Sequence, residues 1–186
     1  MSNRVLTPVF RVSYPNVFKP RKNELSGKEE YSLVALFAKG DDLTALKQAA
    51  QAAAEYKWGP DQKKWPKNLR LPFRDQGDRA KEENGKEILP AGYEKGAIYL
   101  NLKCTERPGL VDAKVQSIID ESEFYAGCFA RATVHAYAYD QAGNRGISFG
   151  LENIQKVKDG ETLGGRIKAT DAFTPIENAT TESLFE

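Results

Sequence analysis

Residues 124–139 read FYAGCFARATVHAYAY, and the rest of the chain is organised around them. Taken with a period of two, the even positions are Phe124, Ala126, Cys128, Ala130, Ala132, Val134, Ala136 and Ala138. The odd positions are Tyr125, Gly127, Phe129, Arg131, Thr133, His135, Tyr137 and Tyr139. Successive side chains of a strand point to opposite faces of its sheet. A strand here carries one small apolar face and one face of rings, cations and polar groups. Rings interleaved with cations suit bases stacked beside a phosphate backbone. The competing reading buries the rings as core and lays a helix over the alanines. Arg131, Thr133 and His135 would then need buried partners.

The same division recurs at residues 97–105, AIYLNLKCT, where Ile98, Leu100, Leu102 and Cys104 alternate with Tyr99, Asn101 and Lys103. Residues 140–144, DQAGN, make a hairpin turn. The return strand over 145–157 sets Ile147, Phe149 and Leu151 on one side. Residues 31–37, YSLVALF, are apolar on both faces and read as a covered central strand. Pro8 demotes a strand over 4–14 to an edge or a bulge, and 110–119 reads as a further strand. One helix, about 42–57, begins at an Asp cap and repeats Leu43, Leu46, Ala50, Ala53 and Tyr56 at helical spacing. The expected class is mainly β, with this one prominent helix and long loops.

Three connections stand out. Residues 15–30 read as a loop carrying Lys19, Arg21 and Lys22, which either holds phosphates or is simply solvated. Residues 57–73, KWGPDQKKWPKNLRLPF, are irregular because prolines interrupt them. Here Lys63, Lys64, Lys67 and Arg70 surround Trp65, so the segment offers charge and stacking together, or is a loop pinned by its tryptophans. Residues 74–92 are charged and read as a mobile surface excursion.

Net charge is +1, but residues 169–186 hold four acids and no Lys or Arg, which leaves +5 on residues 1–168. The expected division is one nucleic-acid-binding domain over 1–168 and an acidic flexible tail over 169–186. A mildly basic body with an acidic tail suits a nucleic-acid binder. The tail ends in Glu182, Leu184, Phe185 and Glu186, a hydrophobic pair among acids that suits docking on partner proteins or occupying the basic groove. No run of about 18 apolar residues and no signal-peptide core occurs, so no membrane partner is expected. Cys104 and Cys128 read as reduced residues of an intracellular protein. No P-loop, GxGxxG, HExxH or GxSxG is present, and the single histidine excludes multi-histidine metal sites. Neither cofactor, metal nor catalysis is expected; a metal-dependent nuclease using the acids of 120–123 is the remaining enzymatic reading.

The run 124–166 resembles the bacteriophage single-stranded-DNA-binding proteins formerly known as a domain of unknown function. The resemblance is carried by Tyr-Ala-Gly-Cys at 125–128, Ala-Tyr at 138–139, Gly-Asn at 143–144, Ser-Phe-Gly-Leu at 148–151 and Asp-Gly at 159–160. Tyr14-Pro15 followed by Phe18 adds to it, and together these cover about half of the chain. The resemblance implies an oligonucleotide-binding (OB) type barrel, single-stranded DNA as ligand, no catalysis, and a role in phage replication or recombination in the host bacterial cytoplasm. The predicted helix follows the second strand, earlier than in the usual five-strand OB order. Residue assignments rest on the face pattern instead. Tyr99, Tyr125, Phe129, Tyr137, Tyr139 and Trp65 are the stacking candidates. Lys19, Arg21, Lys22, Lys63, Lys64, Lys67, Arg70, Lys103 and Arg131 are the phosphate candidates, with His135 adding charge in acid. Replication or recombination proteins on the tail and a homodimer are the further partners considered. The rival function is a protein-interaction accessory factor that uses the same aromatic face as an interface.

Overall fold

The computed structural model describes residues 4–164 and 169–176. In chain order its strands are β1 (Arg4–Leu6), β2 (Phe10–Lys22), β3 (Glu29–Leu36), β4 (Arg74–Asp75), β5 (Lys81–Glu83), β6 (Lys86–Ile88), β7 (Ile98–Cys104), β8 (Gly109–Val111), β9 (Phe129–Gln141) and β10 (Asn144–Lys158). Helix α1 (Thr44–Trp58) lies between β3 and β4, and α2 (Ala169–Ala172) is a four-residue turn near the end. Five strands close a ring: β9 pairs β2, β2 pairs β3, β3 pairs β7, β7 pairs β10, and β10 returns to β9. Only the β7–β10 pair of that ring is parallel. This is the closed five-strand barrel of an OB fold. Its helix sits in the second connection, where the sequence pattern put it.

The alternation in β9 makes the closure possible. Ala130, Ala132, Val134 and Ala136 are buried to 2% exposure or less and join Phe10, Val12, Leu100, Leu102 and Phe149 in one core. Small side chains on this wall let α1 approach, and its Leu46, Ala49, Ala50, Ala53 and Ala54 enter the same core against β9. So the alanines do lie under a helix, as the competing reading held, but the rings do not form the core with them. A larger residue at Ala132 would overpack the contact, at a cost of about 1–3 kcal/mol.

Several expectations change. Pro8 breaks the first strand in two, and β2 then continues through the supposed loop to Lys22 with register shifts after Ser13 and Asn16. Tyr14 takes a φ of 44° at the first shift. Helix α1 starts at Thr44, and Asp42 caps it from outside by accepting the Thr44 N–H at 2.9 Å. Tyr56, placed on the apolar face by its spacing, is 92% exposed. Residues 110–119 give only the short β8, followed by a turn in which the Asp112 carboxylate accepts from the Lys114 and Gln116 N–H groups. Residues 74–92 are tied down at their start, while the β5–β6 hairpin is exposed throughout. Buried Gln76 donates its amide to the carbonyls of Phe37 (2.8 Å) and Ile98 (2.9 Å) and accepts from the Glu94 N–H.

Candidate nucleic-acid interface

Strand register sets the rings of β9 on small neighbours. Tyr139 stands opposite Gly146, Tyr137 opposite Ser148 and His135 opposite Gly150. A Cβ at Gly150 would overlap the His135 ring; one at Gly146 would sit 2.6 Å from the Tyr139 hydroxyl. The half-buried rings therefore lie down across β10 and floor a flat patch, with those of His135 and Tyr137 tilted 37° at 5.9 Å. The alternation Gly146-Ser148-Gly150 was legible in the sequence as a period-two run of small residues. The larger Ile147, Phe149 and Leu151 mask it.

Two hollows of about 570 and 580 Å³ meet over this floor and share Glu30, Lys103 and Tyr137. The first runs past His135 to Arg107 and Glu152. The second runs past Tyr139 to Arg70 and to Lys28 on the β2–β3 connection. The charges nearest the rings are paired. Lys103 Nζ lies 3.7 Å from Glu30, whose other oxygen accepts from Asn23 at 3.0 Å. Arg4 grips both oxygens of Glu152 at 2.6 and 2.9 Å, and His135 Nδ1 lies 3.3 Å from the same carboxylate. Glu152 is the extra residue where the β9–β10 register shifts between Leu151 and Asn153. Such irregularities re-aim side chains. The Arg4 hydrogen bond holds the Glu152 carboxyl below its ordinary 4.5, against the desolvation that would raise it.

The remaining candidates do not share one platform. β9 is long and twisted, so its odd face turns around the barrel. Phe129 lines a separate hollow, its ring between Arg11 (5.7 Å) and Lys158 (4.8 Å). Arg131 donates to Gln155 at 2.8 Å beside Leu6 and Val115, in yet another hollow. Tyr125 precedes β9; its hydroxyl donates to Asp159 at 2.8 Å, its ring faces Lys156, and burial pushes its pKa up to about 12. Tyr99 must be corrected outright: it is 5% exposed, covered by Arg79 at 5.1 Å and by Tyr93, and offers no face for stacking. Trp65 is the pin rather than the platform, since its indole donates to the Gly59 carbonyl at 2.7 Å and its ring packs on the core.

Lys63, Lys64, Lys67 and Arg70 are exposed, with no carboxylate at ion-pair distance among the described residues. Their segment is tied to β10 by the Arg70 N–H on the Arg145 carbonyl and the Ile147 N–H on the Arg70 carbonyl, both 3.0 Å. Of the four, Arg70 lines the second hollow. Lys19, Arg21 and Lys22 lie exposed on β2, with Arg21 and Lys22 opposite Glu30 and Glu29. Cys128 is fully buried, while Cys104 is half-buried and its thiol is pushed up to about 11 by desolvation. Glu182, Leu184, Phe185 and Glu186 lie outside the described residues. No helix among the described residues is long and apolar enough to cross a membrane.

A family model described as the single-stranded-DNA-binding protein of Enterobacter phage Enc34 matches residues 3–184, and the chain belongs to that family. Protein p50 of Acyrthosiphon pisum secondary endosymbiont phage 1 is 28% identical over 178 residues, 94% of each chain. Among solved structures, the Enc34 protein in complex with single-stranded DNA matches with a TM-score of 0.67 at 17% identity, over 87% of this chain and 90% of that one. The gp2.5 single-stranded DNA binding protein of bacteriophage T7 matches with a TM-score of 0.56 at 14% identity, over 89% and 97%. At these identities the structural likeness establishes the fold.

Proposed function

We propose that this member of the Enc34 family is a sequence-nonspecific, that is sequence-tolerant, single-stranded-DNA-binding protein that acts in phage DNA replication or recombination in the bacterial cytoplasm and performs no chemistry on the DNA. Bases stack over the floor formed by His135, Tyr137 and Tyr139. Phosphates are held by Arg70, Lys28 and Arg107 at the groove and by Lys63, Lys64 and Lys67 on the approach. The observation that carries this reading is the set of rings laid flat on Gly146, Ser148 and Gly150, open along a groove that Arg70, Lys28 and Arg107 also line. Each stacked base contributes about 1–3 kcal/mol. A strand that engages about five phosphates gives a log–log salt slope near −3.5, at about −0.7 per contact.

The test is fluorescence anisotropy of a labelled thymine oligonucleotide titrated with the full chain over a range of salt. Saturable binding with a slope of this size supports the reading; no binding at low salt overturns it and leaves the accessory-factor reading. Tryptophan quenching is a poorer probe, because Trp65 and Trp58 pack against the core rather than in the groove.

A further inference from the structure

A binder of bare phosphodiester gains nothing from acids in its groove, yet Glu30 stands at the centre of this one. It is the carboxylate common to both hollows, and its side chain is 16% exposed. A carboxylate beside phosphate repels it. The other groove acid near the rings, Glu152, is closed by two short bonds from Arg4. Glu30 is not closed: Lys103 stands off at 3.7 Å and Asn23 takes one oxygen. A carboxylate offers about four acceptor sites. Its net charge is offset locally by Lys103, but acceptor capacity next to Tyr137 is left over.

Accepting groups at the edge of a stacking floor meet the Watson–Crick edges of splayed bases, which single-stranded recognition leaves open. Guanine presents an imino N–H and an amino group side by side, matching both oxygens of one carboxylate. Adenine and cytosine place an amino group beside a ring acceptor, and thymine flanks its single N–H with two carbonyls; each sets an acceptor against the carboxylate. We infer that Glu30 is a base-reading residue that gives the groove a preference for guanine over thymine, with Lys103 and Asn23 holding it in place. This rests on the proposed binding of single-stranded DNA in the same groove.

The experiment compares a labelled thymine oligonucleotide with one of equal length carrying isolated guanines, and with a third carrying inosine at those positions. The native chain should bind the guanine strand about fivefold more tightly per guanine seated, the low end for a bidentate base contact. Inosine, lacking the amino group, should lose most of that gain. Glu30→Gln should abolish the preference, bringing the guanine, inosine and thymine strands to the same affinity, since the carboxylate that favours guanine has left the groove. Equal affinity of the native chain for all three strands overturns the inference and leaves the binding function standing. So does a Glu30→Gln protein that weakens all three alike, which would mark a structural role. Failure of the native chain to bind any strand instead overturns the function proposed above.

Discussion

Tyr137 and Tyr99 began as the same kind of residue and ended differently. Each is an odd-face ring on a barrel strand whose other face is apolar, and both point out of the barrel. Tyr137 floors an open groove; Tyr99 lies beneath a second small core made with Val34, Leu36 and Tyr93. The difference is made by the segment between β4 and β7, which crosses the outside of β3 and β7. Buried Gln76 staples it to both, and the Asp75 carboxylate accepts from the Gly77 (2.7 Å) and Gly96 (2.9 Å) N–H groups. A period of two reports which side chains leave the barrel. Whether leaving means meeting solvent is decided by residues elsewhere in the chain.

Paired truncations put the contrast to its hardest test. Tyr137→Ala with Tyr139→Ala should cost about 4 kcal/mol of single-stranded-DNA binding, near a thousandfold, with little change in the urea midpoint. Tyr99→Ala should do the reverse, lowering unfolding free energy by about 3 kcal/mol while the folded protein binds normally. If the two phenotypes exchange, the open and covered faces have been misassigned. Gln76→Leu strips partners from two carbonyls and one N–H, so it should destabilise by about 2 kcal/mol and raise hydrogen exchange across β7 first. Exchange rising first in β9 instead would deny the staple its place.

The smallest expected effect comes in acid. Glu152 on the groove side and Asp75 under the cover both titrate below the ordinary carboxylate value, one through Arg4 and the other through the Gly96 and Gly77 N–H groups. Their folded pKa values are depressed, so each contribution is full above the ordinary carboxylate pKa and is lost as pH falls through the lower, folded one. The Arg4 guanidinium is 66% exposed, so that pair is worth little and salt should screen it. Subtracting Glu152→Gln and Asp75→Asn acid-denaturation curves from the native one should show the first component shrinking in high salt and the second persisting. Equal shrinkage would mean the Asp75 tie is also an ion pair.

Much of the fold could be read from local pattern because it obeys local rules. The β9 alternation, the two-sided apolar run of β3, α1 and the hairpin after Gln141 are each set by side chains within one element. The parts that stayed hidden depend on distant partners. β2 runs through Pro15 and Pro20 because its pairing there is broken by register shifts, so no ladder N–H is demanded of either. Trp65 could have been platform or pin, and only the Gly59 carbonyl in hydrogen-bond reach decides. Phe129 and Arg131 share a face with Tyr137 in the pattern, but strand twist carries them into different hollows. Glu152 reaches the groove through a register irregularity that no periodicity announces.

The ring of strands also constrains how the molecule comes into being. β9 pairs with β1 and β2 at one end of the chain and with β10 at the other, so nothing closes until residues 129–158 have been synthesised. Until then β2, β3 and β7 present unpaired edges and an apolar face, the features that make a nascent chain prone to aggregate. The high contact order of that last step predicts folding in milliseconds to seconds rather than microseconds. The strand that floors the groove is thus also the one that completes the barrel, and a chain ending before Phe129 should yield neither.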